Sequence, residues 1–260
     1  EIIPISADLN IEDMIADEEM VVTISHNGYI KRLPVNEWKT QKRGGKGMKG
    51  AKTREDDYVE HLFIASTHDT LMFFSDRGKC YWLKVHQIPQ TMRTSQGRAI
   101  VNLITCESGE KIKAFVSVKE FLENQYIVMC TKKGIIKRTS LSLYSKPRKG
   151  GIYAIDIREN DELIESKVST GSQDIIMATR KGKSIRFSEN GVRATGRKTM
   201  GVRGISLSKQ DDAVIGMVVV EREGSVMVTT DKGYGKRSNL SEYRQQNRGG
   251  KGVITIKANQ

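Results

Sequence analysis

Short apolar runs, each ending in Ser or Thr and then, three residues later, in glycine, recur along this chain. The five copies cover residues 21–28, 71–78, 127–134, 175–182 and 226–233, and their glycines are 50, 56, 48 and 51 residues apart. Runs of β-branched and apolar residues favour buried strands, and the Ser or Thr hydroxyl can bond the backbone of a turn. Glycine supplies the positive φ of a tight hairpin. Each copy therefore predicts a β-hairpin, and the near-constant interval predicts a repeat architecture.

A second pattern follows each turn glycine after about 20 residues. Residues 45–48, 97–100, 202–205 and 250–253 share a small, basic, small, apolar order, whereas residues 151–154 lack the base. In the later copies we expect this pattern to lead into a strand, such as 100–104 or 253–256, and then through an acidic turn into a further strand. Four strands in about fifty residues are typical of a propeller-like blade.

The predicted fold is therefore all-β, a ring of four-stranded blades with five visible signatures. We expect helix only in short pieces at residues 11–20 and near Trp38 and Phe121. One domain is predicted over residues 1–260, with an acidic lead-in at 1–19 and repeats at approximately 20–69, 70–125, 126–173, 174–223 and 224–260. Several aromatic side chains are expected to pack within strands: Tyr29, Tyr81, Trp82, Tyr144, Tyr234 and Tyr243.

Charge narrows the choice of function. The chain has 43 Lys and Arg against 31 Asp and Glu, a formal net charge of +12. Residues 1–20 contain seven acids and no base, so the remainder carries +19. Such an excess is typical of proteins that bind a polyanion, and nucleic acid is the usual one. Aromatic residues make up only 6% of the chain, too few to stack a single strand, which favours a duplex.

Many bases follow the predicted hairpins, as in the pairs Lys31-Arg32, Lys137-Arg138 and Lys236-Arg237. We interpret these pairs as lying on outer strands, where a belt of Lys and Arg would contact the phosphates of a curved duplex without reading sequence. The predicted perimeter contacts are Lys31, Arg32, Lys49, Lys52, Arg54, Arg98, Lys137, Arg138, Arg148, Lys149, Arg186, Arg203, Lys236, Arg237, Arg248 and Lys251.

Nothing in the sequence assembles a catalytic site. The four histidines lack a metal-binding spacing, and there is no P-loop or nucleophile elbow. Cys80, Cys106 and Cys130 have no C-x-x-C spacing, which predicts neither a disulfide framework nor zinc and fits a reducing cytoplasm. No apolar run approaches the ~18 residues of a membrane helix. We expect a non-enzymatic chain with no cofactor, no metal and no membrane contact.

The segment from Lys39 to Arg54 is the most unusual stretch, with seven bases, four glycines and no acid. It has no apolar face to bury, so we expect an exposed loop. Within it, Gln41-Lys42-Arg43-Gly44-Gly45-Lys46-Gly47 closely resembles the signature box of the bacterial DNA gyrase A C-terminal domain, with Lys42 in place of the usual Arg. Residues 21–32, 201–205 and 233–237 are also similar to blades of that family.

The resemblance implies a β-pinwheel, a propeller relative whose blades exchange strands with their neighbours. It implies a domain that wraps double-stranded DNA in a positive sense, so that gyrase can introduce negative supercoils. The ATPase and the DNA-cleaving tyrosine would lie outside this chain. The implied partners are DNA and the gyrase catalytic core, formed by the A-type and B-type subunits of an A2B2 enzyme in the bacterial cytoplasm, and the isolated domain would be monomeric. The implied DNA-binding residues of the box are Gln41, Lys42, Arg43, Gly44, Gly45, Lys46 and Gly47.

Blade number and family membership leave alternatives open. The family usually has six blades, and five signatures are visible, so a sixth copy lies outside the chain or the ring has five blades. The C-terminal domain of the topoisomerase IV A-type subunit, which selects DNA geometry for decatenation or relaxation, shares the blade pattern but generally lacks an intact box. A WD-type propeller would have Asp after Trp38 and Trp82, where Lys39 and Leu83 stand. A seven-bladed chromatin-type propeller would need a longer chain.

Overall fold

The computed structural model describes residues 11–38, 57–207 and 211–257, and the regular structure of these residues is β-strand and short 3-10 helix. The strands, in chain order, are β1 (Glu19–Ser25), β2 (Tyr29–Pro34), β3 (Val59–Ser66), β4 (Thr70–Ser75), β5 (Lys79–Lys84), β6 (Arg98–Ala99), β7 (Ile112–Val118), β8 (Tyr126–Thr131), β9 (Ile135–Ser140), β10 (Ile152–Tyr153), β11 (Leu163–Ser169), β12 (Asp174–Thr179), β13 (Lys183–Ser188), β14 (Val202–Arg203), β15 (Val214–Val220), β16 (Ser225–Thr229), β17 (Gly235–Asn239) and β18 (Val253–Ile254).

The five predicted hairpins are all present. Their turn glycines have φ between 77° and 88°, where a side chain would be strained. Each turn is closed by the Ser or Thr that precedes it, because the hydroxyl accepts a hydrogen bond from the backbone amide that follows the turn glycine. In the first hairpin the donor is the Tyr29 amide and the acceptor is Ser25 Oγ, 3.1 Å away. The same bond forms at Ser75, Thr131, Thr179 and Thr230.

The strands form four four-stranded sheets and one two-stranded sheet, which confirms the predicted all-β fold of four-stranded blades. The sheet orders are β3-β1-β2-β6, β10-β5-β4-β7, β11-β8-β9-β14 and β15-β12-β13-β18, and β16 pairs only with β17. In each four-stranded sheet, the short strand beside the second hairpin strand comes from the following repeat. Blades therefore exchange strands, as the family resemblance implied.

The strand predicted at residues 100–104 is wrong. The chain forms the two-residue strand β6 and then turns into a 3-10 helix at Ile100–Asn102, with Ile100 buried. The strand predicted at residues 253–256 is likewise shortened to β18. Helix among the described residues is limited to seven 3-10 turns: Ile11–Met14, Val35–Glu37, Val85–Gln87, Ile100–Asn102, Leu141–Tyr144, Glu189–Gly191 and Leu240–Glu242.

The chain packs as two compact units. The first contains residues 1–71, 82–105 and 117–120, and the second contains residues 72–81, 106–116 and 121–260. In the first unit the fully buried side chains include Val22, Ile30 and Leu33. In the second unit a continuous core joins the third and fourth repeats, because Val128 and Ile136 belong to the same buried cluster as Met177, Ile185 and Met217.

The apolar hairpin strands are buried as predicted, most completely in β4, all six of whose residues are buried. The last hairpin differs, since β16 alternates between exposed and half-buried residues. Tyr81, Tyr144 and Tyr243 pack inside as expected, whereas Tyr234 is 68% exposed, so its predicted packing role is wrong. None of the described helices is long and apolar enough to cross a membrane.

Candidate nucleic-acid interface

After the second to fifth hairpins and the 3-10 turn that follows each of them, the chain enters a loop that carries bases and ends at a glycine. We call residues 90–97, 146–151, 194–201 and 245–252 the arginine loops. In three of them an arginine lies four residues before the closing glycine, and in the third repeat Arg148 lies three residues before Gly151. Together the four loops contain eight bases and no acid: Arg93, Lys146, Arg148, Lys149, Arg197, Lys198, Arg248 and Lys251.

The closing glycine brings each loop against the hairpin of the preceding repeat. Gly97 has φ of +87°, and a Cβ at this position would lie 2.5 Å from the Ile30 carbonyl oxygen. Gly201 has φ of +82°, and its Cβ would lie 2.5 Å from the Ile136 carbonyl oxygen. Any other residue would be strained and would collide with backbone. These contacts let β6 pair with β2 and β14 pair with β9 directly after the loops.

The predicted exposure of the lysines in the first and third hairpins is wrong. Lys31 and Lys137 are each 1% exposed. Lys31 Nζ donates to the carbonyl oxygens of Arg93 and Ser95, the latter at 2.8 Å. Lys137 Nζ donates to the carbonyl oxygens of Arg197 and Ala154, the latter at 2.6 Å. The reason is that the loop of the following repeat lies against the second hairpin strand, so the lysine stem is covered and its amino group reaches carbonyl oxygens of that loop.

Burial changes the acidity of these two lysines. Loss of hydration lowers the pKa of Lys31, and it lowers the pKa of Lys137 to about 7, with the carboxylate of Asp156 acting in the opposite direction. The positive charge of Arg197 contributes to the lowering at Lys137. An ammonium in this position is directed at backbone carbonyls rather than at a ligand outside the protein.

Two predicted perimeter arginines are also turned inward. Arg32 donates to the carbonyl oxygens of Ile88 at 2.7 Å and His86 at 3.1 Å. Arg186 is held by the Asp174 carboxylate at 2.7 Å and donates to the Leu240 carbonyl at 2.9 Å. Their placement on an exposed belt is therefore wrong.

Arg138 shows the same inward placement, with a side chain only 12% exposed. It donates to the Gly171 carbonyl at 3.2 Å, lies over the Tyr126 ring and is 3.8 Å from the buried Glu189 carboxylate. Its predicted position on the belt is wrong for the same reason, since the following repeat covers the second hairpin strand.

The remaining described bases of the predicted perimeter are exposed: Arg98, Arg148, Lys149, Arg203, Lys236, Arg237, Arg248 and Lys251. Most lie in or directly after an arginine loop. Lys236 and Arg237 occupy the hairpin positions of Lys137 and Arg138, yet both are exposed.

Two basic cavities lie at the arginine loops of the second unit. One, of about 320 Å³, is lined by Arg148, Arg197, Lys198, Gly151, Ile152 and the half-exposed Tyr153. The other, of about 670 Å³, has Arg244, Gln245, Gln246, Asn247 and Arg248 along its wall. Neither set of lining residues contains an acid. Guanidinium, ammonium and amide groups around an open cavity favour an anionic ligand such as phosphate.

Comparison with known proteins identifies the family. The family model described as "DNA gyrase C-terminal domain, beta-propeller" matches residues 19–66, 69–119, 125–168, 173–221 and 224–260. The chain therefore belongs to the DNA gyrase C-terminal domain family. The matched segments follow the hairpin repeats, each beginning at the first hairpin strand or shortly before it.

Curated relatives of this DNA gyrase family member include the A-type gyrase subunits of two bacteria. The chain is 44% identical over 97% of its length to the one from Salmonella typhimurium. It is 47% identical over 96% of its length to the one from Clostridium acetobutylicum. It covers 29% and 30% of those proteins, so it spans about a third of the length of the relatives it matches.

Solved structures show the same family fold. A DNA gyrase A C-terminal domain is 28% identical with a TM-score of 0.74, covering 91% of this chain and 76% of that one. The C-terminal domain of a DNA topoisomerase IV is 25% identical with a TM-score of 0.76, covering 95% of this chain and 76% of that one. Both solved domains extend beyond the part that this chain matches.

The signature box of the gyrase family, Gln41 to Gly47, lies outside the described residues, as do Lys49, Lys52 and Arg54. Its sequence nevertheless has the register of the arginine loops, because Arg43 lies four residues before Gly47. Arg93, Arg197 and Lys198 were not singled out from the sequence. The four-residue spacing from arginine to closing glycine, which Arg43–Gly47 and Arg248–Gly252 share, is the signal that would have found the first two.

Proposed function

We propose that this chain binds double-stranded DNA through its arginine loops and wraps it in a positive sense. The observation that carries the proposal is the recurrence of bases without acids in all four arginine loops, each of which is fixed to the preceding hairpin by a glycine contact. Phosphate binding needs cations on rigid, accessible elements, and a repeating array suits a polymer whose charges also repeat.

The same features favour backbone contacts over base reading. No α-helix is present among the described residues to enter a major groove, and the loop bases are joined by small and hydroxylated residues. Contacts made to phosphates position a protein on DNA without conferring sequence preference. The energetic cost of bending the duplex would be offset by the additional phosphate contacts that bending brings within reach.

The box from Gln41 to Gly47 is proposed to be the arginine loop of the first repeat. Its Arg43 and Gly47 match Arg248 and Gly252 in register, and residues 248–252 repeat the box sequence Arg-Gly-Gly-Lys-Gly. In this proposal Lys42, Arg43 and Lys46 contact phosphates at one end of the wrap. The glycines leave backbone amides free to approach phosphate oxygens.

In the whole enzyme, the chain would present wrapped DNA to the gyrase catalytic core, which the A-type and B-type subunits form together in an A2B2 assembly of the bacterial cytoplasm. It would support negative supercoiling without itself hydrolysing ATP or cleaving DNA. Its proposed state in isolation is a monomeric single domain. These statements rest on the family and on the relatives, which are named as A-type subunits of DNA gyrase.

A topoisomerase IV role is the weaker alternative. The solved topoisomerase IV domain has a similar fold but is 25% identical, whereas the two A-type gyrase subunits are 44% and 47% identical. The box sequence at Gln41 to Gly47 also favours gyrase.

Salt-dependent binding to a non-specific duplex tests the proposal. With at least about six phosphate contacts, the slope of log affinity against log salt should be about −5 or steeper. Replacing Arg148, Lys149, Arg197 and Lys198 with Gln should weaken binding and make the slope shallower. The matched control changes four exposed bases outside the arginine loops to Gln: Lys111, Lys119, Lys133 and Arg180. It should change the DNA affinity and the salt slope much less. A wild-type slope shallower than about −3, or strong preference for one short site, would overturn the proposal.

A further inference from the structure

The second strand of the first, third and fourth hairpins is joined to the arginine loop of the following repeat, each time in the same register. Arg32, Arg138 and Arg186 form isolated parallel bridges with Gln90, Ala194 and Gln245 respectively. Each bridged loop residue lies twelve residues after its own turn glycine. Backbone bonds continue the contact, since the Thr195 amide donates to the Arg138 carbonyl at 2.9 Å.

The buried lysines add a second attachment at a specific point in the loop. Lys31 and Lys137 stand at the same position in their hairpins, three residues after the turn glycine. Their ammonium groups donate to the carbonyls of Arg93 and Arg197, which are the arginines that lie four residues before the closing glycines. Lys137 therefore holds the backbone of Arg197, which lines the basic cavity of about 320 Å³ in the fourth repeat.

The fifth repeat lacks this lysine. The preceding hairpin has Ile185 at the lysine position, and no ammonium reaches the loop from there. In this repeat the loop arginine anchors itself, because Arg248 donates from Nε to the Gly191 carbonyl at 2.6 Å and from Nη1 to the Arg203 carbonyl at 3.3 Å. In the fourth repeat, by contrast, the Arg197 guanidinium forms no hydrogen bond or ion pair with a described residue and lines the basic cavity with Arg148 and Lys198.

We infer that Lys137 is a positioning residue for DNA binding: it fixes the loop backbone at Arg197 so that the Arg197 guanidinium is left available for a phosphate. Lys31 holds the loop backbone at Arg93 in the same way. Neither lysine touches DNA. This inference rests on the proposed function, because it assigns how one part of that same surface is held in place.

A double-mutant cycle in the 260-residue chain tests it. The four proteins are wild type, Lys137→Met, Arg197→Ala and the double variant, each measured for affinity to a non-specific duplex at several salt concentrations. Arg197→Ala should weaken binding roughly tenfold, as for removal of a bond to a charged group. Lys137→Met should weaken binding by a similar or smaller factor, and the double variant should bind no more weakly than Arg197→Ala, because both changes act on one phosphate contact.

The control is Lys236→Met, which removes the lysine at the same hairpin position where it is exposed. Combined with Arg197→Ala, its effect should be additive, since the two groups act separately. If the Lys137→Met and Arg197→Ala effects also multiply, Lys137 is an independent contact and the inference is overturned. If wild type does not bind DNA, the proposed function fails, and the inference fails with it.

Amide hydrogen exchange without DNA gives an independent readout. Lys137→Met should speed exchange at Thr195 and Thr199, whose amides bond to the Arg138 and Arg197 carbonyls, while Lys236→Met should leave them unchanged. Unchanged exchange in a folded Lys137→Met protein would overturn the inference. If that variant does not fold, Lys137→Gln, whose side chain is shorter, replaces it in the cycle and in the exchange measurement, with the same outcomes deciding.

Discussion

The third and fifth hairpins carry the same two residues at the same positions but place them in opposite environments. Lys137 and Arg138 are covered by the loop of the fourth repeat, and Lys137 is 1% exposed. Lys236 and Arg237 follow their turn glycine by the same three and four residues, yet both are exposed. The difference shows that a Lys-Arg pair at these hairpin positions can be either covered or exposed. Its role depends on whether the next repeat's loop lies over it.

Truncating the two lysines should give the largest difference in stability between the two hairpins. Lys137→Ala removes a buried stem and the amino group that donates to the Arg197 and Ala154 carbonyls, so the free energy of unfolding should fall by about 3 kcal/mol. Lys236→Ala removes an exposed side chain and should change it by no more than about 0.5 kcal/mol. Denaturant unfolding followed by circular dichroism measures both. Equal effects in the two variants would mean that the environments are not different in solution.

The glycines of one arginine loop offer a second contrast. Gly201→Ala places a Cβ 2.5 Å from the Ile136 carbonyl oxygen at a φ of +82°, and we expect a decrease of about 2 kcal/mol in the free energy of unfolding. Gly196→Ala meets no atom within 4 Å and should be close to neutral. Thermal unfolding of the two variants in one buffer is sufficient. A neutral Gly201→Ala would show that the loop is not tied to the preceding hairpin.

The local parts of the fold could be predicted from the sequence. A hairpin depends on a few neighbouring residues, so the Ser or Thr and the glycine of 25–28 or 131–134 specify the turn directly. Strand exchange came from the family resemblance. The short strand at Arg98–Ala99 was missed because its apolar continuation at residues 100–104 reads as a strand, whereas the structure buries Ile100 through a 3-10 turn.

The candidate site was harder to predict, because burial of Lys31 and Lys137 depends on a loop about sixty residues further along the chain. One signal was present: the lysine position is filled by Tyr81 and Ile185 in the second and fourth hairpins, and a position that accepts such residues is a core position. The residue type alone favours a surface position for Lys31 and Lys137, because lysine is almost never buried unless it is paired.

The pH dependence of stability gives a separate test of the buried Lys137. The pKa of Lys137 is about 7 in the folded chain, against the ordinary value of 10.5 in the unfolded chain. Between these values the unfolded state binds one more proton, so wild type should gain stability relative to Lys137→Met as pH rises, by up to about 1.4 kcal/mol per pH unit. Unfolding at several pH values measures this difference. A difference between wild type and Lys137→Met that stays flat or falls with pH would contradict burial of the Lys137 amino group.

The smallest expected effect concerns the exposed pair itself. Changing Lys236 and Arg237 together to Ala should leave stability within about 0.5 kcal/mol, because exposed charges contribute little to folding. If the pair binds phosphates, DNA affinity should fall modestly and the salt slope should become shallower by up to about 0.9 for each phosphate that is no longer bound. Fluorescence anisotropy over a salt series detects both changes. An unchanged affinity and slope would remove the pair from the interface.

The change in DNA linking number that the chain produces is the most direct test of the proposed wrapping. Nicked circular plasmid is religated in the presence of increasing amounts of the chain, and the linking number of the purified product is compared with that of plasmid religated alone. Wrapping in a positive sense predicts a positive linking difference that grows with the ratio of protein to DNA. The variant in which Arg148, Lys149, Arg197 and Lys198 are changed to Gln should give a smaller shift. A linking number that stays unchanged or shifts negative while the chain is bound would contradict the proposed wrapping.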